Sequence, residues 1–589
     1  MAKRTIQKTS SRIAVSIALT LVFAAIYFYV TLPAINLHNP TFYGFMVMCL
    51  LLYIVISMIL VGVDTGKATI TLKDYATFAK ANCKAAVIIL LVLGTLFVAG
   101  QVISLPVFRA NAYHNLLQVD TGDFATEVAE VSFNEIPMLD ESSAQRLGNR
   151  KLGELADMVS QFVISSDYVQ INYHGRPVRV ACLEYGDFFK WFNNRGEGLP
   201  AYVLVDMATQ EVEVIRMSSL DASGIRYSPS EYFSRDLDRA LRFAYPTFMF
   251  SSPHLEIDED GNPWWVCPRE TRTIGLFGGV DIIGAVLMDA TTGECTYYEI
   301  EDIPVWVDRV YTASLITQQY DFHGTYINGF FNSIIGQKEV TVTTDGFNYI
   351  AMSDDVYMYT GITSVSADES NIGFLLSNQR TKEATFYSAP GAIERSAQDS
   401  AQGVVQDLGY KATFPLLLNI AGEPTYFMSL KDSSDLVKMY AMVNVAQYQL
   451  VATGNTVAEC EANYIARLSA SGIDTSGSTA GAVIDEDQTA VTGAVAEIRT
   501  AVMDGNSYYF VRLADDTLFY KIMAKEAPGV VLLNVGDEVT IRTSSDGAVG
   551  LTMANASAID LTANLAEADS TEPAPETPDE AETEEAPAE

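Results

Sequence analysis

Gly284-Ala-Val-Leu-Met-Asp289-Ala-Thr-Thr292-Gly-Glu294-Cys295 is the stretch that decides how most of this 589-residue chain is read. A small residue and a four-residue strand run into an Asp; a Thr follows three positions on and a Glu two beyond that. The same spacing returns at Ala201-Tyr-Val-Leu-Val-Asp206-Met-Ala-Thr209-Gln-Glu211 and at Gly373-Phe-Leu-Leu-Ser-Asn378-Gln-Arg-Thr381-Lys-Glu383. Asp, Asn and Thr side chains can bond the N–H groups of their own turn, so the pattern predicts a hairpin that leaves through an alternating strand such as Cys295-Thr-Tyr-Tyr-Glu-Ile300. Around Ala441–Gln449 a fourth copy is expected to have lost the turn.

Working outward, each hairpin is preceded by a glycine-led opening: Gly175-Arg-Pro177, Gly261-Asn-Pro263-Trp264-Trp265 and Gly422-Glu-Pro424-Thr-Tyr426, with a looser version at Gly346-Phe-Asn-Tyr349. Helical periodicity is clearest over Ser143–Phe162, Ser230–Ala244 and Ala392–Leu408. One repeat is then a helix laid on the apolar side of a small antiparallel sheet. The predicted fold class is α+β, in tandem modules over residues 109–250, 251–335, 336–410 and a degenerate 411–468.

The Asp289-to-Glu294 turn with its upstream helix resembles the PepSY-like modules of exported bacterial proteins. The resemblance spans residues 140–465 in degenerate copies. It implies small helix-plus-sheet domains that bind or inhibit outside the cell, and it carries over no catalytic residue. The whole chain also resembles membrane proteins of Gram-positive-type bacteria.

Residues 1–108 are of another kind. Ile13–Ile35, Tyr43–Val63 and Ala85–Phe108 each exceed the ~20 residues needed to cross a bilayer core, and none contains Asp, Glu, Lys or Arg. Lys3, Arg4, Lys8 and Arg12 precede the first span, and Lys67, Lys73, Lys80 and Lys84 lie between the second and third. The positive-inside rule therefore expects a multi-pass plasma-membrane protein with its N-terminus in the cytoplasm and everything after residue 108 extracytoplasmic. Gly94, Gly100, Gln101 and Pro106 in the last span are candidates for close helix packing.

Residues 469–490, rich in Ser, Gly, Thr and Ala, read as a linker. Residues 491–562 carry short alternating strands (Val491–Thr500, Ser507–Leu513, Leu518–Ile522, Glu538–Arg542), which predicts a small OB-like or SH3-like β-barrel. Residues 563–589 form an acidic tail: from Glu567 onward there are ten acidic and no basic residues, a composition expected to be disordered. The formal net charge of -36 argues against nucleic-acid partners, which demand clustered Lys and Arg.

Catalytic signatures are sparse. The five histidines (His38, His114, His174, His254, His323) show no metal-ligand spacing. Asp258-Glu-Asp260-Gly-Asn262 imitates a calcium loop but has Pro263 and Arg269 where Gly and Glu belong, so a hairpin turn is the better reading. Gly275-Leu-Phe-Gly278-Gly279 lacks a phosphate-loop lysine and reads as a tight loop. Glu301-Asp302 and Asp354-Asp355 are carboxylate pairs of the kind a glycosidase uses, without a reason to choose between them. Cys182, Cys267, Cys295 and Cys460 allow two disulfides or none. No catalytic, cofactor-binding or metal-binding residue is assigned and no cofactor is expected. The expected function is a non-enzymatic binding or scaffold protein of the cell envelope, tethered by three transmembrane helices, with another envelope protein or a cell-wall component as partner. A carboxylate-dependent envelope hydrolase and an accessory subunit of a membrane complex are the alternatives.

Overall fold

The computed structural model describes residues 2–65, 83–129, 136–473, 475 and 489–560, less short gaps at 221, 353, 366–369, 504–505, 515, 525–527 and 544–552. Most of the predicted linker and all of the acidic tail lie outside the described residues. The chain divides into two compact units, Met1–Gly481 and Ala482–Glu589.

In the first unit α1 (Ala2–Thr31), α2 (Pro40–Thr65) and α3 (Lys84–Ile103) contain three stretches long and apolar enough to span a bilayer, Arg12–Thr31, Pro40–Leu60 and Lys84–Ile103. Their leucines and valines face outward, Leu21 at 64% and Leu91 at 66% exposure, which only a lipid environment makes favourable. The third span stops short of the expected Phe108. Its helix ends at Ile103, and Pro106, which has no N–H to lose, opens α4 (Pro106–His114).

Four small sheets follow, each built on one plan: a short hairpin into a long central strand, then the Asx turn. In the first, Phe162–Ile164, Arg176–Tyr185, Ala201–Asp206 and Val212–Arg216 pair in that order, and Val169–Tyr173 also pairs with Arg176–Tyr185. The second runs Cys295–Glu299, Gly278–Asp289, Pro263–Ile274, Met249–Phe250, with His254–Ile257 on the long strand. The third is built on Ala384–Ala392, Ser370–Asn378 and Asp355–Ser364, the fourth on Glu423–Lys431 and Val437–Asn444. Among the described residues of these four sheets the pairings are antiparallel except that of Asp120–Gly122, which lies parallel to Ala384–Ala392.

The repeated turn is the same object three times. Asp206 Oδ1 accepts the N–H groups of Ala208 and Thr209; Asp289 Oδ1 those of Thr291 and Thr292; Asn378 Oδ1 those of Arg380 and Thr381. Thr209, Thr292 and Thr381 hydroxyls then accept from Glu211, Glu294 and Glu383 N–H. The residue before each Glu has positive φ: Gln210 65°, Gly293 78° and Lys382 68°. The fourth turn is altered, contrary to expectation, rather than lost. Asn444 Oδ1 accepts from Gln447 N–H, and Asn444 N–H reaches Leu450 instead of a residue one position nearer. One inserted residue hid it.

The openings need a second correction. Gly175, Gly261 and Gly422 hold φ of 74°, 82° and 77°, two residues before Pro177, Pro263 and Pro424, whose carbonyls accept from the residue after each Asx. In the third sheet that carbonyl belongs to Val356, and the positive φ (68°) to Asp354. Gly346 lies outside this hairpin, so the equivalent of the glycine is an aspartate, one of the residues that tolerate the left-handed region.

Helices are shorter than the periodicity suggested: Glu141–Gly153, Leu237–Ala244 and Glu394–Val404, with Asp140 and Asp236 capping the first two. A fourth, Ala313–Thr325, was not anticipated; Thr312 caps it. The sheets also share cores instead of each owning one. Val180, Cys182 and Val203 of the first sheet pack with Leu255, Cys267 and Met288 of the second. Ile282 and Leu287 of the second pack with Met358 and Leu375 of the third. Phe374 and Tyr387 of the third pack with Phe427 and Met442 of the fourth, sealed by Val457–Ala470. The fourth returns to the first through polar bonds: Lys431 Nζ to Asp140 (2.6 Å), Arg146 to Asp435, and Ser429 Oγ to Met138 O (2.8 Å).

In the second unit Thr489–Met503, Asn506–Leu513, Phe519–Met523, Glu538–Thr543 and Met553–Asp560 are strands, around a core of Val495, Val511, Tyr520, Ile522 and Ile541. Met503 pairs directly with Asn506.

Candidate functional site

The polar interior of the first unit lies where its first, third and fourth sheets meet. A chamber of about 390 Å³ is lined by Gln170 and Arg179 from the first sheet, Arg309 from the segment before helix Ala313–Thr325, Phe347 and Tyr349 at the third sheet, Phe414 at the fourth, and the carboxylates Asp140, Glu141 and Asp167. Gln170 and Arg179 are cross-strand partners, so their side chains share one face. Both are buried, at 4% and 6% exposure.

Arg179 is held by a bond from Nη1 to Tyr168 O (2.8 Å). Its Nε, the Nε of Arg309 and both polar atoms of the Gln170 amide are buried with no hydrogen-bond partner among the described residues. Neither guanidinium forms an ion pair among the described residues. Of the acids in the wall, Asp140 is committed to Lys431 Nζ with both oxygens and to Ser143 N–H, while Glu141 acts on Arg179 through space. Burial pushes the Arg179 guanidinium below its usual range; Glu141, Tyr349 and Asp140 oppose the shift, and the like charge of Arg309 adds a smaller push downward.

Arg309 is positioned by backbone, not by its own side chain. Glu256, fully buried, accepts Arg309 N–H (3.0 Å), Asp308 N–H (2.8 Å) and His254 Nε2 (2.9 Å). On the other side, Gln379 O accepts Val310 and Tyr311 N–H (2.9 and 2.8 Å), while its Nε2 donates to Tyr311 O. Asp308 in turn accepts Asn172 N–H at 2.6 Å.

Burial, and then the neighbouring Glu256, hold the Asp308 carboxyl well above the ordinary carboxylate range. The native chain therefore keeps this proton to higher pH than the unfolded chain does. The linked stability is complete below about pH 3.9 and is lost as pH rises through the raised native value. Asp308→Asn stays neutral and can still accept from Asn172. It is expected to stabilise the chain by about 1–2 kcal/mol at pH 8, with the gain vanishing near pH 4. Thermal melts of both proteins across that range test it; a gain that grows toward low pH contradicts the assignment.

A second set of contacts fastens the body to the spans. The loop Gly275-Leu-Phe-Gly278-Gly279 is the tight turn between two long strands, with Gly275 and Gly279 at φ of 64° and 63°. Its tip enters the membrane helices. Phe277 packs on Phe97 and Tyr43, with ring centroids at 5.1 and 5.5 Å. Ser104 Oγ accepts Leu276 and Phe277 N–H, both at 3.0 Å, and donates to Gly100 O (2.7 Å), which uses its full hydroxyl capacity. His38 Nδ1 meets Leu276 O at 2.9 Å. Gly100, expected to serve helix packing, instead makes room for this tip, whereas Gly94 has nothing within 4 Å of a Cβ. Farther along, Arg242 Nε donates to Leu32 O (2.9 Å) and Ile35 N–H to Pro246 O (2.8 Å).

The residues singled out as chemical candidates have structural duties. Asp258 Oδ1 accepts Asp260 and Asn262 N–H and Oδ2 accepts Trp264 Nε1, so this is a hairpin turn. Asp355 is clasped by Arg380 in two-pronged fashion, Nε to Oδ1 (2.9 Å) and Nη2 to Oδ2 (2.8 Å), and by Asn378 Nδ2. Cys182, Cys267, Cys295 and Cys460 are free thiols. Burial raises all four, Cys295 to about 11 and Cys460 to about 12, so they resist ionisation. In the second unit Arg499 and Arg512 both engage Glu497.

No protein-family model matches the chain, and no curated protein matches it. Among solved structures, the crystal structure of exo-β-1,3-galactanase from Phanerochaete chrysosporium with β-1,3-galactotriose covers 59% of this chain and 78% of that one. Identity is 9% and the TM-score 0.16, a likeness too slight to carry an argument.

Proposed function

We propose that the chain is an extracytoplasmic binding and scaffold protein of the cell envelope, tethered by three transmembrane helices, that acts by binding rather than by catalysis. The observation that carries this reading is the Leu276-Phe277 tip seated among Phe97, Tyr43 and Ser104. A merely tethered domain needs no such bonds; a scaffold that holds a binding surface at fixed height and angle above the bilayer does. Lysine and arginine placement puts the body outside. Aromatic residues gather where the body meets the first span. Phe243 packs on Phe28 and Tyr29 at the end of the first span, and Phe233 and Phe189 stand 60% and 75% exposed. Such rings favour the membrane–water boundary.

PepSY-like modules and a small C-terminal barrel, each read as a binding unit, belong to the same proposal. The hydrolase alternative is weakened because Asp355, the buried member of one of its two candidate carboxylate pairs, is held by Arg380. The test is protease added to whole protoplasts and to inverted vesicles carrying the full chain. Cleavage beyond residue 108 is expected in protoplasts; protection there with cleavage in inverted vesicles overturns the reading.

A further inference from the structure

We propose that the chamber walled by Gln170, Arg179, Arg309, Phe347, Tyr349 and Phe414 is a binding site for a small organic carboxylate carried on an apolar or aromatic frame. The inference does not depend on which side of the membrane the body occupies.

Cost is the first argument. A buried guanidinium is among the dearest groups a fold can carry, and the through-space attraction of Glu141 and Asp140 in the same wall offsets only part of that cost for Arg179. Arg179 is 6% exposed and faces the same chamber as Arg309, yet neither has an ion-pair partner among the described residues. Native interiors seldom leave polar atoms unpaired, and exceptions concentrate where something else is bound. Here four such atoms line one chamber: Arg179 Nε, Arg309 Nε, Gln170 Nε2 and Gln170 Oε1.

Chemistry narrows the class. Guanidinium forks and an amide N–H₂ supply donors in the planar arrangement that carboxylate oxygens accept. The unbonded Gln170 Oε1 can take a hydroxyl or amide N–H from the same ligand. The rings of Phe347, Tyr349 and Phe414 cover an apolar frame and strengthen the ionic bonds by excluding water, while Asp140, Glu141 and Asp167, which also line the wall, select against a second negative charge on the ligand. About 390 Å³ falls within the range of small-molecule pockets and excludes a polymer chain from full entry. The site is also preorganised. Backbone bonds to Glu256 and Gln379 fix residues 308–311, so Arg309 needs no loop ordering on binding.

The experiment uses the full chain in lipid nanodiscs, titrated calorimetrically with benzoate, its neutral isostere benzamide, and inorganic phosphate at low salt. Benzoate is expected to bind saturably and benzamide roughly 10- to 100-fold more weakly, the loss of charge-assisted bonds to guanidinium. Arg179→Gln is expected to abolish benzoate binding. Because Arg179 also holds Tyr168 O, a second variant separates binding from folding: Gln170→Leu. That amide bonds nothing in the protein, so Gln170→Leu should melt at or above the temperature of the unsubstituted chain while losing roughly 10-fold in benzoate affinity. Equal binding of benzoate and benzamide, no benzoate binding at all, or unchanged affinity in Gln170→Leu overturns the proposal. So does phosphate binding in the absence of benzoate binding.

Discussion

Glu256→Ala is expected to destabilise the body by about 3–5 kcal/mol, the range seen when one member of a buried charged network is deleted. Glu256 has 0% exposure and three donors converge on it: His254 Nε2, Asp308 N–H and Arg309 N–H. All three donors lose their acceptor inside the fold, so much of their desolvation cost is left uncompensated. One effect runs the other way. Removing Glu256 relieves the like-charge pressure on Asp308, so part of the loss is recovered at neutral pH. Glu256→Gln keeps an acceptor oxygen and is expected to lose less than alanine does. Urea unfolding of the full chain in micelles gives the comparison; a loss under about 1 kcal/mol for the alanine variant would show that the network is slack. The same substitution frees the Arg309 segment, so benzoate affinity should fall with it.

Much of the repeat was legible because a turn motif is local. Asp206, Asp289 and Asn378 bond N–H groups two and three residues ahead, and nothing distant is needed to find them. Asn444 escaped because an extra residue shifted the spacing, and Asp354 because aspartate stood where glycine was sought. The chamber was invisible for a different reason. Tyr168-Val-Gln170-Ile-Asn172 alternates polar and apolar, the pattern of a strand with one face in water. In the folded chain the third and fourth sheets cover that face, and Gln170 ends up buried in a polar chamber. Burial of this kind is a tertiary fact that no period-2 pattern carries. One signal was available: Arg179 interrupts the run Val178 to Leu183, whose other members are all apolar. A lone arginine inside a central strand needs an explanation that a solvent-facing one does not.

The hairpin tip was likewise read correctly as a tight loop and its destination missed, since nothing in Gly275 to Gly279 names Ser104 as its target. Gly100→Leu is expected to expel that tip. A Cβ at position 100 would lie 2.6 Å from Leu276 Cδ2 and 2.7 Å from Phe277 Cε2, closer than packed atoms approach, and three more carbons would follow it. The alternative is for α3 to shift, which its bonds through Ser104 oppose. Losing the tip forfeits the burial of Phe277 and two N–H bonds to one hydroxyl, together about 2–4 kcal/mol of local stability. Local opening of that size should speed amide hydrogen exchange at Leu276 and Phe277 by roughly 30-fold or more. Phe277→Ala should reach a similar state from the other side by removing the ring and leaving the pocket intact. Gly94→Leu, on the same helix with nothing within 4 Å, serves as the control and should leave exchange unchanged. The strands around Cys267 and Val286 are expected to stay protected in all three, because their core lies between sheets and owes nothing to the spans. Should Gly100→Leu leave the two tip amides as protected as before, the fastening of body to membrane helices is not the rigid one described, and the scaffold reading loses its main support.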